Sequence, residues 1–166
     1  MAVIDSDKTF TCPVGRTTGS ANRLTISATM LTRLGTLLRE AERTREEKCA
    51  LLTGKLDETG ITIYEVVSIP NRARSNTAFS IAADDFYRAD SGNYPVVAVF
   101  HTHRRTTHLS LEDVRMINGS AFVHLVGSPR FCGAEHAQSF EQTFNLAGYA
   151  NFDDNDIRSI AIEVQS

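Results

Sequence analysis

Cysteine is scarce and scattered: the chain has three, Cys12, Cys49 and Cys132, with no Cys-x-x-Cys pair among them. That pattern excludes a disulfide framework and a cysteine zinc cluster. It leaves reduced, buried or half-buried thiols as the expectation. Basic charge is not in excess either. Against 20 Asp+Glu there are 17 Lys+Arg, a net charge of -3, so no overall field argues for nucleic acid or a membrane surface. Long apolar runs are missing: the most apolar stretch, Tyr94 to Phe100, is far too short to span a bilayer. The start, Met1-Ala2-Val3-Ile4-Asp5, lacks the basic flank and apolar region of a signal peptide. A soluble, cytoplasmic protein is expected, with no nucleic-acid and no membrane partner. Repeats, low-complexity tracts and linkers are also absent. The expectation is one domain over residues 1–166, with 1–22, rich in Thr, Gly and Ser, as a loosely structured N-terminal extension.

What is present suits a packed domain. Hydrophobic residues make up 42% and charged residues 22% of 166 positions, enough to bury a core. Arg23 to Ile26 alternates like a strand. Ser27 then offers an N-cap to a helix from Ala28 to about Arg43–Glu46, whose stripe is Met30, Leu31, Leu34, Leu37, Leu38 and Ala41. Cys49 to Thr53, closed by Gly54, and Ile61 to Ile69, closed by Pro70, read as a hairpin around Asp57-Glu58-Thr59-Gly60. A short helix is expected over Asp84 to Ala89, a buried strand over Val96 to Phe100 and a helix over Ser110 to Asn118. Strands are expected over Ala121 to Val126, Gln142 to Tyr149 and Ile157 to Val164, the last with a helical alternative. Helices interspersed with strands indicate an α/β domain around one central sheet.

The chemistry concentrates after the apolar strand. His101 and His103 are two apart, so a strand carries both imidazoles on one face, where they can converge on an ion. A catalytic zinc takes three protein ligands, and Asp113, on the first turn of the helix opened by Ser110, can fold back beside them. A lone His-x-His is weak on its own, and other folds that use it fit poorly. A β-lactamase-like hydrolase wants Asp where Arg105 stands. An amidohydrolase barrel needs about 250 residues. A zinc deaminase wants His-x-Glu with Pro-Cys-x-x-Cys, and neither is here.

His101-Thr102-His103 followed by Ser110-x-x-Asp113 resembles the signature of the JAMM (JAB1/MPN/Mov34) metalloproteases. Glu47-x-Cys49-x-x-Leu52-x-Gly54 is similar to that family's glutamate stretch, with Ala50 in place of a glycine. Ile69-Pro70-Asn71 and Phe79-x-Ile81-x-x-x-Asp85 are similar to the segment between them. The resemblance covers about Leu24 to Gly127. It implies a single JAMM/MPN-like, cytidine-deaminase-like domain with a mixed β-sheet flanked by helices. It also implies Zn²⁺ on His101, His103 and Asp113, with Glu47 as general base and Ser110 hydrogen-bonding the oxyanion. The activity implied is cleavage of a peptide or isopeptide bond at the C-terminus of a ubiquitin-like or conjugated protein. Among small prokaryotic members the chain most resembles the JAB-type peptidases of CBASS antiphage operons, whose partner is a conjugated nucleotidyltransferase-type protein. The alternatives are a sulfur-carrier peptidase of cysteine or thiamine-type metabolism and a non-catalytic MPN-type binding module.

Other readings of the same residues stay open. Ser110-Leu111-Glu112-Asp113 also reads as a capping box. The loop Arg104 to Leu109 is one residue shorter than the family's usual spacing and has no proline, and His108 within it is a rival third ligand. His124 reads as a satisfied core histidine and His136 as a loop residue. Arginine is concentrated at Arg72, Arg74, Arg104 and Arg105; the last two are either solvated or placed to grip a carboxylate-bearing substrate segment.

Overall fold

A computed structural model of the chain describes residues 21–73, 77–120, 122–129, 138–140, 144–152 and 156–166. The expected N-terminal extension falls outside these residues except for Ala21 and Asn22, and so do Cys12, Arg74, Cys132 and His136.

Strand β1 (Arg23–Ser27) runs straight into helix α1 (Ala28–Thr44). Ser27 makes the change of direction by accepting a 3.2 Å hydrogen bond from the Met30 N–H. The helix ends at Arg45, which sits in the left-handed region (φ 59°) and donates its N–H to the Ala41 carbonyl. No glycine marks this cap. Four residues later the chain re-enters the sheet as β2 (Cys49–Asp57), which turns back as β3 (Gly60–Ile69). Helix α2 (Ala83–Asp90) leads to β4 (Val96–Thr102), and helix α3 (Leu111–Asn118) to β5 (Val123–Pro129). The remainder is β6 (Gln138–Phe140), β7 (Phe144–Asn151) and β8 (Ile157–Gln165). Each expected element is present among the described residues, the last as a strand; β6 is an addition.

The strand order is β5-β4-β2-β3-β1-β8-β7-β6, and β5 also pairs with β7. The pairings therefore form a circuit, with β7 rejoining β5. The sheet is mixed: β1 runs parallel to β3 and β8, and β4 parallel to β5, while the other pairs are antiparallel. Helix α1 packs on this sheet by one face, where its Leu31, Leu34, Leu37 and Leu38 join a core with Leu24, Phe100 and Leu125. Each such leucine contributes roughly 2 kcal/mol of burial. On the opposite face of β2 and β4, Cys49, Leu51 and Val99 pack with Phe79, Ile81 and Phe86 near α2.

Gly54 does not close β2, as the apolar run suggested. The strand continues to Asp57 and its register slips between Thr53 and Gly54. At this bulge a Cβ on Gly54 would stand 2.0 Å from the Thr62 carbonyl oxygen. The contact is with backbone, so no rotamer relieves it. Gly54→Ala is expected to cost about 3 kcal/mol and lower the melting temperature by roughly 6–12 °C, read by thermal denaturation; an unchanged melt would mean that the bulge tolerates a side chain.

Candidate metal centre

Strand β4 is buried along its whole length and hydrogen-bonded on both sides, to β2 and to β5. His101 is its next-to-last residue and His103 follows its end. The His103 N–H donates to the Gly127 carbonyl at 2.7 Å, prolonging the β5 pairing past the strand's end. His101 is fully buried and stacks on Phe79 with ring centres 4.4 Å apart. His103 is partly open to solvent.

Helix α3 brings the carboxylate. Ser110 caps it and accepts from the Asp113 N–H at 3.1 Å, while Asp113 Oδ2 accepts from the Ser110 N–H at 2.7 Å. The capping box therefore forms, and it aims the same carboxylate at the histidines. Asp113 Oδ1 lies 3.1 Å from His101 Nε2, and Asp113 Oδ2 lies 3.2 Å from His103 Nε2. The two Nε2 atoms are 3.1 Å apart. Among the described residues, these three side chains are the one group of His, Cys, Asp or Glu whose ligand atoms converge, all within 4.8 Å.

Edges of this size suit a small metal ion. Ligands at 2.0–2.1 Å around a tetrahedral ion are separated by about 3.3 Å. In the tautomers that turn both Nε2 lone pairs inward, the imidazoles and the carboxylate repel at such range unless they share a cation. The tautomer agrees: His103 Nδ1 meets the Thr106 carbonyl at 3.1 Å, which holds the proton on Nδ1 and leaves Nε2 free to ligate. His101 Nδ1 is buried without a partner.

Electrostatics follow from burial and crowding. Burial raises the Asp113 carboxyl, but hydrogen bonds from His101 and His103 outweigh it and hold the group well below the usual carboxylate range. Burial lowers His101, only partly offset by Asp113. In His103 burial also pulls downward, yet the Asp113 hydrogen bond and charge, with Glu47, lift it above its ordinary value.

Glu47 lies between α1 and β2 and is 5% exposed. Burial pushes its carboxyl from an ordinary 4.5 to about 7, with His103 opposing and Asp113 and Glu112 assisting. Its neighbour Glu46 is half-buried and pairs with Lys48 at 3.6 Å. A cavity of about 250 Å³ opens beside Glu47 and His103, between the end of α1 and the ends of β4 and β5, with Arg45, Glu46 and Arg104 on its wall.

Ser110 is exposed, with its oxygen engaged by the cap. His108 is exposed in the loop and outside the converging group. Arg105 is also exposed. His124 corrects the sequence reading: it is buried in the core, but neither ring nitrogen has a hydrogen-bond partner, so it is not satisfied. Burial first, and then His101, lower its pKa to about 3 and keep it neutral. Cys49, fully buried, is a free thiol pushed up to about 12 by burial. No helix among the described residues is long and apolar enough to cross a membrane.

Sequence reasoning gave no role to the residues that brace this site. Thr102, between the histidines, accepts from the Lys48 N–H at 2.9 Å and donates its own N–H to the Lys48 carbonyl at 3.0 Å. Asn71 donates to the Glu47 carbonyl at 2.9 Å. Tyr149, from β7, donates its hydroxyl to the Thr107 carbonyl at 2.9 Å and ties down the loop between His103 and Ser110.

One family profile, described as prokaryotic homologs of the JAB domain, matches residues 30–143. Among solved structures, the chain is similar to the solution structure of protein DSY2949 from Desulfitobacterium hafniense, at 18% identity and TM-score 0.65, covering 86% of this chain and 93% of that one. It is also similar to a solution structure from Salinibacter ruber, at 20% identity and TM-score 0.58, covering 86% and 92%. At those identities the likeness is one of fold. Among curated proteins none matches the sequence.

Proposed function

The chain belongs to the family of prokaryotic homologs of the JAB domain, and from that premise we propose that it is a zinc-dependent hydrolase of amide or isopeptide bonds. The observation that carries this reading is the convergence of His101, His103 and Asp113 beside a buried Glu47 at the wall of a cavity. His103 is oriented through Thr106, and Asp113 through the cap of α3. Zn²⁺ held there would polarise the scissile carbonyl and acidify a water. Glu47, whose carboxyl sits near neutrality, is suited to take the proton of the attacking water and to hand it to the leaving amine. Ser110 Oγ accepts from the helix, which leaves its own proton to donate to the oxygen that gains charge.

For substrate, we propose the C-terminus of a ubiquitin-like or conjugated partner protein, with deconjugation in a CBASS-type antiphage system as the narrower reading. The first supports come from the motif pair Glu47-x-Cys49 and His101-x-His103. The test loads the protein with zinc and incubates it with a ubiquitin-like carrier extended past its C-terminal glycine and with a nucleotidyltransferase joined through its C-terminus to a target. Intact-mass spectrometry reads the products. Near one zinc per chain, with cleavage lost in Glu47→Gln, is the expected result. A chain that takes up no zinc after reconstitution would overturn it and leave a non-catalytic binding module.

A further inference from the structure

The ends of three neighbouring strands share one row. Cys49 on β2 pairs with Ile69 on β3 at one side and with His101 on β4 at the other. Both pairings are antiparallel, so two residues back along β2 correspond to two residues forward along its neighbours. Continued by that step, the row reaches Asn71, Glu47 and His103, just beyond the strand ends. Hydrogen bonds follow the extension. Lys48, just before β2, and Thr102, the last residue of β4, exchange two of them, and Asn71 reaches Glu47 from the other side.

Asn71 has no spare capacity. Its amide nitrogen donates to the Glu47 carbonyl at 2.9 Å and to the Ala78 carbonyl at 3.0 Å. Its amide oxygen accepts from the Ala73 and Ser80 N–H groups, each at 3.0 Å. These two donors and two acceptor bonds use every position an asparagine side chain offers. The loop it gathers is fixed in turn. The Arg72 N–H donates to the Ser80 carbonyl at 3.0 Å, and the Arg72 guanidinium is 3.0 Å from the buried carboxylate of Asp85 on α2. Glu47 itself belongs to no helix or strand. Its place beside His103 depends on these bonds from Asn71 on one flank and on the Lys48–Thr102 pair on the other.

We propose that Asn71 is a positioning residue that holds Glu47 at its distance from the metal centre, locking the peptide that carries the base to the α2 side of the domain. The proposal rests on the reading of Glu47 as general base. Only a residue with two donors and two acceptor positions can do this. Aspartate in its place keeps both acceptor bonds to the Ala73 and Ser80 N–H groups but sets oxygen against the Glu47 and Ala78 carbonyls. Asn71→Asp therefore cuts the link to Glu47 while leaving the turn's own acceptor intact, and Asn71→Ala removes both.

The experiment uses the zinc-loaded full chain and the carrier extended past its C-terminal glycine. Three readouts are taken for wild type, Asn71→Asp and Asn71→Ala: zinc per chain, steady-state kinetics, and hydrogen exchange at the Lys48 and Cys49 amides. Zinc should stay at the wild-type level in Asn71→Asp, kcat should fall roughly 100-fold and KM should move less than threefold. Exchange at Lys48 should speed up at least tenfold. A change confined to KM, a kcat within threefold of wild type, or loss of zinc with kcat would each overturn the proposal, the last by making Asn71 a general support of the fold. A wild type that binds zinc but cuts nothing sinks the general-base reading instead. Exchange at Lys48 then decides whether Asn71 holds the segment, and an unchanged rate rejects it.

Discussion

Asp113→Asn is expected to release bound zinc while leaving α3 almost as stable as before. Two demands meet on this carboxylate. One oxygen faces His101 Nε2 at 3.1 Å, and the other faces His103 Nε2 at 3.2 Å while capping the Ser110 N–H at 2.7 Å. An amide of the same shape still offers one oxygen to the cap, so the metal-free variant should lose only about 0.5–1 kcal/mol. As a ligand it is neutral and turns a donor toward a site that needs a lone pair. Metal affinity should fall by at least about 100-fold, given that partners merely hydrogen-bonded to ligands cost 10–100-fold. Asp113→Ala loses both roles and should cost about 1–2 kcal/mol as well as the metal. Zinc per chain after dialysis, and melting curves with and without chelator, separate the two effects. Full zinc retention in Asp113→Asn would remove Asp113 from the ligand set, and zinc lost from His108→Ala would then move the third ligand into the loop.

Glu47→Gln is expected to cut turnover steeply and, in the metal-free protein, to raise stability at alkaline pH. The activity loss should be about 10²–10⁴-fold, the range for a positioned acid–base group. The stability effect follows from burial. Glu47 has its carboxyl raised from 4.5 to about 7 in the folded chain. Below pH 4.5 the group is protonated folded and unfolded, and the fold carries no penalty. Between pH 4.5 and about 7 the unfolded chain ionises first, so stability is lost as pH rises, and above that range the full penalty remains. A shift of this size corresponds to about 3 kcal/mol, reduced to about 1–2 kcal/mol by water at the cavity. Glutamine never ionises. Urea unfolding of chelated wild type and variant should therefore coincide near pH 4, with the variant ahead by that margin at pH 8. A difference that shrank as pH rose would contradict the burial of an ionisable Glu47.

Much of this was legible because it is local. The alternation and stripes of β1, α1 and β4 come from short-range periodicity, and Ser27 and Ser110 announce their helices through cap chemistry. His101, His103 and Asp113 could be singled out because strand and helix periods bring i, i+2 and a first-turn carboxylate together. What escaped depends on distant partners. The return of β7 to β5 and the parallel seat of β1 on β8 join segments far apart in sequence, and no local pattern carries such pairings. Arg45 ends α1 in a left-handed conformation without the glycine that would have flagged it. Gly54 looked like punctuation because a missing side chain marks a turn and a bulge alike. Asn71 stood inside a quoted segment, yet its role lies in four hydrogen bonds that only the folded loop creates. His124 was placed in the core by alternation, but alternation says nothing of partners for its nitrogens.

The two halves of the site are aligned by different rulers. Glu47 and the histidines are indexed to one another by the β2–β4 ladder, in which Cys49 faces His101; that spacing changes only in whole residues, and a slip of one would turn every side chain to the wrong face. Asp113 is indexed by a tether, the loop from Arg104 to Leu109, pinned midway by Tyr149. Losing or gaining a residue in the tether therefore re-aims the Asp113 carboxylate and disturbs the Thr106 carbonyl that orients His103, while Glu47 and His101 keep their places. A change of loop length therefore acts on the aim of the carboxylate, and a change of register acts on Glu47 and His101 together.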